Sequence, residues 1–167
     1  FRTELVNKII GFNAHITVKP YDKPITKNNL SGTNLDLISN NFILSNSGEA
    51  IIIDKKNSKG IVLRGYLSND FPQLEIIDNE NFFGNKNNLK DNYISIGKEL
   101  SFTYNLEIGD NITIMSSSGV NTIIGSLPKK KIFTVNSIFE SGLAEFDNNV
   151  AFINLNTLEE FFDLNIN

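Results

Sequence analysis

Cysteine is absent from this chain, so no disulfide framework, thiolate nucleophile or thiolate-bound zinc can form. Histidine occurs once, at His15, inside a short apolar stretch where a structural role is expected, because one imidazole has no second to share a metal with. No run of 18 or more apolar residues occurs, so no segment is expected to cross a bilayer as a helix. A basic excess is missing as well. The 15 Lys and Arg stand against 19 Asp and Glu, a net charge of −4 that argues against a nucleic-acid binder. There is no Gly-x-Ser-x-Gly elbow, no phosphate loop ending in Gly-Lys-Ser/Thr and no Gly-x-Gly-x-x-Gly. The serine run Ser116–Ser118 has no neighbouring base to activate it.

What is present is an ordinary globular composition, 167 residues of which 40% are hydrophobic and 20% charged. That suffices for one domain, or for two small lobes sharing a core. The chain opens directly on a helical pattern (Phe1, Leu5, Val6, Ile9, Ile10) with no capping residue before it, and is read as a piece of a longer protein. Strands are expected at His15–Lys19, Phe42–Leu44, Ala50–Asp54 and Ile61–Leu67, the last two forming a hairpin across Lys55–Gly60. A short helix is expected around Leu35–Ile38, and Asn69–Asn92 reads as irregular with short helical turns. Further strands are expected at Tyr93–Ile96, around Ile112 and Ile114, at Lys131–Phe139 and at Val150–Ile153. Helices are expected at Lys98–Asn105 and Leu155–Phe162. The mixture lacks a regular βαβ rhythm, which points to an α+β fold with two lobes.

Chemistry is sparse. Glu140, Glu145 and Asp147 fall in one turn region, yet the alternating ligand series of a calcium loop is missing, and a solvated turn is expected. Asp54, Asp70, Asp78 and Glu80 are scattered among loop asparagines. The run Lys129-Lys130-Lys131 reads as another solvated turn. The residues therefore point to a non-catalytic binding or coupling domain with no cofactor and no metal.

One segment departs from the usual rules. Between the strands at Ile112–Met115 and Ile132–Val135 lies a connection of about 16 residues, longer than most in compact domains. It carries Val120, Ile123, Ile124 and Leu127. Such residues either tuck back over their own core or form an arm, hinged at Gly119 and Gly125, that offers Ile123 and Ile124 to another protein.

Several runs, taken in order, resemble one family. They are Ile96–Leu100, Leu106–Ile114, Gly125–Val135 and Ile138–Asp147, preceded by Phe1–Leu5, Ile9–His15 and Gly60–Gly65. Together they resemble the periplasmic domain of the lipoprotein-releasing ABC transporter permeases LolC and LolE, and Ala144–Asp147 resembles the merged form of the two. The resemblance is weak across Tyr21–Ser58 and in the Asn-rich stretch before Tyr93. It implies a MacB-like periplasmic domain with a Porter-like α/β lobe and a β-rich Sabre-like lobe. On that pattern, residues 1–45 would begin the Porter-like lobe and 46–145 would form the Sabre-like lobe with a protruding loop at 117–128. Residues 146–167 would return to a truncated Porter-like lobe.

The resemblance further implies an inner-membrane permease with this domain in the periplasm, served by a LolD-like cytoplasmic ATPase and a second permease copy or paralogue. Its lipoprotein substrate would pass to a LolA-like carrier recruited by the loop, called the Hook. The implied carrier contacts are Val120, Thr122, Ile123, Ile124, Leu127 and Pro128, with Lys129, Lys130 and Lys131 as a secondary basic contact. A related permease of the MacB or FtsX type, transmitting motion for efflux or for control of a cell-wall hydrolase, is the alternative.

Overall fold

Strand alternation sets the frame. A computed structural model describes residues 17–19, 25, 42–54, 57–78, 80–122 and 125–164, with backbone alone for 118–122 and 125–126. Strand β1 (Ser45–Ile53) turns Ala50 and Ile52 inward, and β2 (Lys59–Tyr66) turns Ile61 and Leu63 to the same side. The two pair antiparallel from Ser45↔Tyr66 to Ile52↔Lys59, which is the hairpin expected from the sequence. The Asn-rich segment contains a short 3₁₀ turn (Phe71–Gln73), of the kind expected, and the two-residue β3 (Phe83–Gly84), which is not. Then follow β4 (Tyr93–Gly97), α1 (Lys98–Tyr104), β5 (Asn111–Thr122), β6 (Gly125–Phe139), α2 (Ala144–Asn149), β7 (Val150–Asn154) and α3 (Leu155–Phe162).

The strands lie in the order β3-β6-β4-β7-β2-β1-β5, and β5 also pairs with β6. The sheet therefore closes on itself into a ring, β1-β2-β7-β4-β6-β5, with β3 attached outside. Closure removes the two open edges that six strands in a flat sheet would present. The length of β6 makes it possible. Its first part, to Thr134, pairs with β5, and its last part, Thr134–Phe139, pairs parallel with β4.

A register shift at Ile94/Ser95, where Asn136 is the extra residue, changes the phase of β6. Phe133 and Val135 face the interior before the shift. After it, Ile138 packs against that interior and Phe139 belongs to a second core.

The ring interior is filled by residues of all six strands, among them Leu63, Ile94, Ile96, Ile114, Phe133 and Ile153, with Leu100 from α1 and Leu158 and Phe161 from α3. The second core lies between the outer face of β2, β7 and β6 and the segment 67–92. Its centre is Phe152, whose ring lies 4.9 Å from Phe139 and 5.8 Å from both Tyr66 and Phe71. Strand β7 is thus covered on both faces, which explains why Val150–Asn154 reads as an unbroken buried run. Asn154 ends it as the N-cap of α3. Its side chain accepts from the Asn156 amide at 3.0 Å and donates to the Leu89 carbonyl and to Ser68 Oγ, each at 3.1 Å.

Strand β7 is inserted between β2 and β4, with partners on both sides in the same sheet, and α3 packs into the ring interior. One expectation needs correction. The region of Glu140, Glu145 and Asp147 is not a solvated turn, since Ala144–Asn149 is helical and Asp147 is 2% exposed. The expected helix at 1–10, His15 and the short helix at 35–38 lie outside the described residues. Within 17–19 no regular element forms, and β1 begins at Ser45, after Phe42–Leu44.

Candidate functional site

The anomalous connection is itself a ladder. Beyond the pair Met115↔Lys130 the two strands pair again at Gly119↔Pro128, Val120↔Leu127, Asn121↔Ser126 and Thr122↔Gly125. What the sequence suggests as a loop of about 16 residues is therefore a hairpin, with only positions 123 and 124 between its last pair. Composition hid it, because Ser, Gly and Asn are depleted in strands and resemble a turn when clustered. Pairing of β5 with β1 stops at Ala50↔Ser116, and pairing of β6 with β4 begins only at Thr134. From Ser116 outward the hairpin is a two-stranded ribbon, and six residues of strand to Thr122 span roughly 20 Å.

Leu127 and Pro128 are exposed on this ribbon, Leu127 by 53% of its surface, and Ile132 nearer the ring is 61% exposed. Val120 and Thr122 are placed by backbone alone, opposite Leu127 and Gly125. Ile123 and Ile124, the expected tip, lie outside the described residues.

The three lysines occupy different surroundings. Lys129 reaches across to α3, donating from Nζ to the Glu160 carbonyl at 2.7 Å and pairing with the Asp163 carboxylate. Lys131 Nζ sits 5.5 Å over the Phe133 ring, within cation–π range. Lys130 is exposed. All three border a shallow groove of about 260 Å³, shared with Thr157, Glu160 and Phe161 of α3.

The three candidate carboxylates differ in their surroundings. Both oxygens of Asp147 accept from the Ser141 amide, at 3.0 and 3.2 Å. Burial pushes its carboxyl above the usual range, partly offset by the hydrogen bonds from Ser141, while Glu140 and Glu99 add a further upward push. Glu140 pairs with Lys98 at 2.8 Å, and Glu145 is exposed at the start of α2. Burial likewise raises the Tyr66 hydroxyl and Glu159. Among the described residues no group of three or more His, Cys, Asp or Glu is placed to hold a metal ion, and no helix is long and apolar enough to cross a membrane.

Sequence reasoning missed the two contacts that anchor the ribbon and the Asp147 site. Nothing local marks Lys129 as the partner of a helix end some 30 residues later. A glycine between a strand and a helix was the available signal for the other. A Cβ on Gly97 would fall 2.0 Å from the Asp147 carbonyl oxygen, so only glycine allows α2 to approach β4 this closely.

No family model matches the chain. It is 23% identical over 173 residues to the lipoprotein-releasing system transmembrane protein LolC of Xylella fastidiosa (strain Temecula1 / ATCC 700964), an alignment covering 96% of this chain and 40% of that protein. To LolC of Xylella fastidiosa (strain 9a5c) it is 26% identical over 114 residues, covering 67% of this chain and 27% of that protein. The chain thus spans less than half the length of these curated relatives. Among solved structures, the extracellular domain of the noncanonic ABC-type transporter YknZ from Gram-positive bacteria superposes with a TM-score of 0.50 at 14% identity, over 83% of this chain and 67% of that one. The sequence is similar to LolC along nearly its whole length, and the α+β fold is similar to that of the YknZ extracellular domain.

Proposed function

We propose that this chain is the periplasmic, non-catalytic domain of an inner-membrane ABC permease that hands lipoproteins to a LolA-like soluble carrier, docked on the β5–β6 ribbon. The observation that supports this reading best is the ribbon itself. It leaves the ring as two strands, with Leu127 and Pro128 exposed. Apolar side chains on such an arm are the anchors from which hot-spot interfaces are made. Val120, Thr122, Ile123, Ile124, Leu127 and Pro128 form the carrier contact, and Lys129, Lys130 and Lys131 lie beside it as a basic surface. ATP hydrolysis belongs to a separate LolD-like cytoplasmic subunit, and a second permease copy or paralogue completes the transporter. The likeness to LolC supports the lipoprotein as cargo.

The experiment is a binding titration of the chain against a LolA-type carrier, with Ile123→Asp, Ile124→Asp and Leu127→Asp compared with the parent. Affinity should drop at least about tenfold in each while thermal unfolding is unchanged, because hot-spot truncations cost about 2 kcal/mol or more. Unchanged affinity in folded variants excludes the ribbon as the docking site.

A second reading is favoured by the fold likeness to the YknZ extracellular domain. The domain would then transmit motion in a MacB- or FtsX-type permease, for efflux or for control of a cell-wall hydrolase. A parent chain that binds no carrier, yet binds a defined adaptor or hydrolase through the same ring, selects it.

A further inference from the structure

The ribbon joins the ring through an irregularity that has its own bonding. Between Met115↔Lys130 and Gly119↔Pro128 the ladder sets three residues of β5, Ser116–Ser118, opposite the single residue Lys129 of β6. Bulges of this kind bend a strand and interrupt its ladder. The interrupted groups are taken up by side chains. Ser116 Oγ accepts from the Lys129 amide at 3.0 Å, and Ser117 Oγ donates to the Glu49 carbonyl of β1 at 2.7 Å. The Lys129 ammonium then crosses to the end of α3. The last carbonyls of a helix have no partner within it, and the Glu160 carbonyl is one of them. Lys129 Nζ satisfies it at 2.7 Å and pairs with Asp163, the left-handed C-cap residue at φ 52°. A cation at that end is also favoured by the helix dipole.

We propose that this arrangement is a latch. The bulge is the joint on which the outer ribbon, paired over residues 119–122 and 125–128, tilts, and Lys129 fixes that tilt to the last turn of α3. Displacing or unwinding that turn removes both acceptors of the ammonium at once and frees the ribbon, and the same movement draws Phe161 away from the ring interior. The position of α3 thereby sets how firmly the ribbon is held. The consequence for carrier capture rests on the reading of the previous subsection, but the latch itself does not.

The test is amide hydrogen exchange on the chain with no partner present. In Lys129→Met, which keeps the apolar stem and removes the charge, amides of residues 119–122 and 125–127 should exchange roughly three- to fivefold faster, the range expected for losing one partly exposed helix-end cation. Amides of Leu63, Ile94 and Ile153 inside the ring should keep their rates and serve as the internal control for folding. Asp163→Asn should give a smaller acceleration of the same residues, and Lys130→Met none. Because the chain has no cysteine, nitroxides on Ser126→Cys and Asn156→Cys give an independent reading, and Lys129→Met should broaden their distance distribution. Equal exchange rates in Lys129→Met and the parent overturn the latch. So does an acceleration that extends through the ring, or one that Lys130→Met reproduces. Failure of the carrier to bind leaves these readings unaffected, so the two ideas stand or fall separately.

Discussion

Gly97 lies against the backbone of Asp147, so close that a Cβ at residue 97 would sit 2.5 Å from the Asp147 Cα and closer still to its carbonyl oxygen. The contact joins the end of β4 to α2. It holds the Asp147 carboxylate under the Ser141 amide, at the point where the chain leaves β6. A Cβ at residue 48 would likewise fall 2.5 Å from the Phe162 ring, but there the obstacle is the outer part of a half-buried side chain.

The two glycines should therefore respond differently to alanine. Gly97→Ala forces backbone apart and is expected to cost about 3 kcal/mol or more, whereas Gly48→Ala, relieved by a swing of Phe162, should cost about 1 kcal/mol. Urea unfolding of both variants measures the difference.

Asp147 gives a pH dependence of defined sign. Its carboxyl is raised in the folded chain, so the folded state holds that proton more tightly than the unfolded state does. Stability should fall as pH rises from the unfolded carboxylate's value through the raised folded one, and level off above it. Asp147→Asn keeps an acceptor for the Ser141 amide and removes the charge. Relative to the parent it should gain stability across that window and show no difference below it, as read from unfolding free energies at a series of pH values.

Asn154 serves the helix cap and the strap formed by residues 67–92 together. Asn154→Ala leaves the Asn156 amide uncapped and the Leu89 carbonyl without that donor, and should cost about 2–3 kcal/mol. Exchange of the amides around Leu89 should accelerate more than that of the ring strands, since the strap loses a tie and the ring does not.

Phe152 holds the second core. Phe152→Ala removes a ring that touches Tyr66, Phe71 and Phe139, and should cost about 3–5 kcal/mol. The loss should appear as a lower midpoint in thermal unfolding.

Much of the fold is legible in the sequence where alternation or helical spacing is strong. The β1–β2 hairpin, β4, the helix after Gly97, β7 and the helix Leu155–Phe162 all follow from their own residues. The place of β7 between β2 and β4 does not, because its buried run states that both faces are covered without saying by what. Ring closure is equally silent, since it depends on one strand serving two neighbours along its length. The ribbon stands out in the sequence by its length and apolar residues while its strand pairing does not, because Ser116–Gly119 reads as turn chemistry although it belongs to β5. The bend in β6 at Asn136 is invisible to any simple period.

The length of β6 has a mechanical consequence. The ribbon's bulge lies on β5, so a pull applied near Gly125 runs along a strand that is laddered first to β5 and then to β4 as far as Phe139, among the aromatic rings, with the single extra residue Asn136 on the way. Its neighbours β5 and β4 would resist that load lengthwise, many hydrogen bonds at a time, while a sideways push is met by the softer partner and bends it. An appendage built this way is stiff against tension and compliant to deflection.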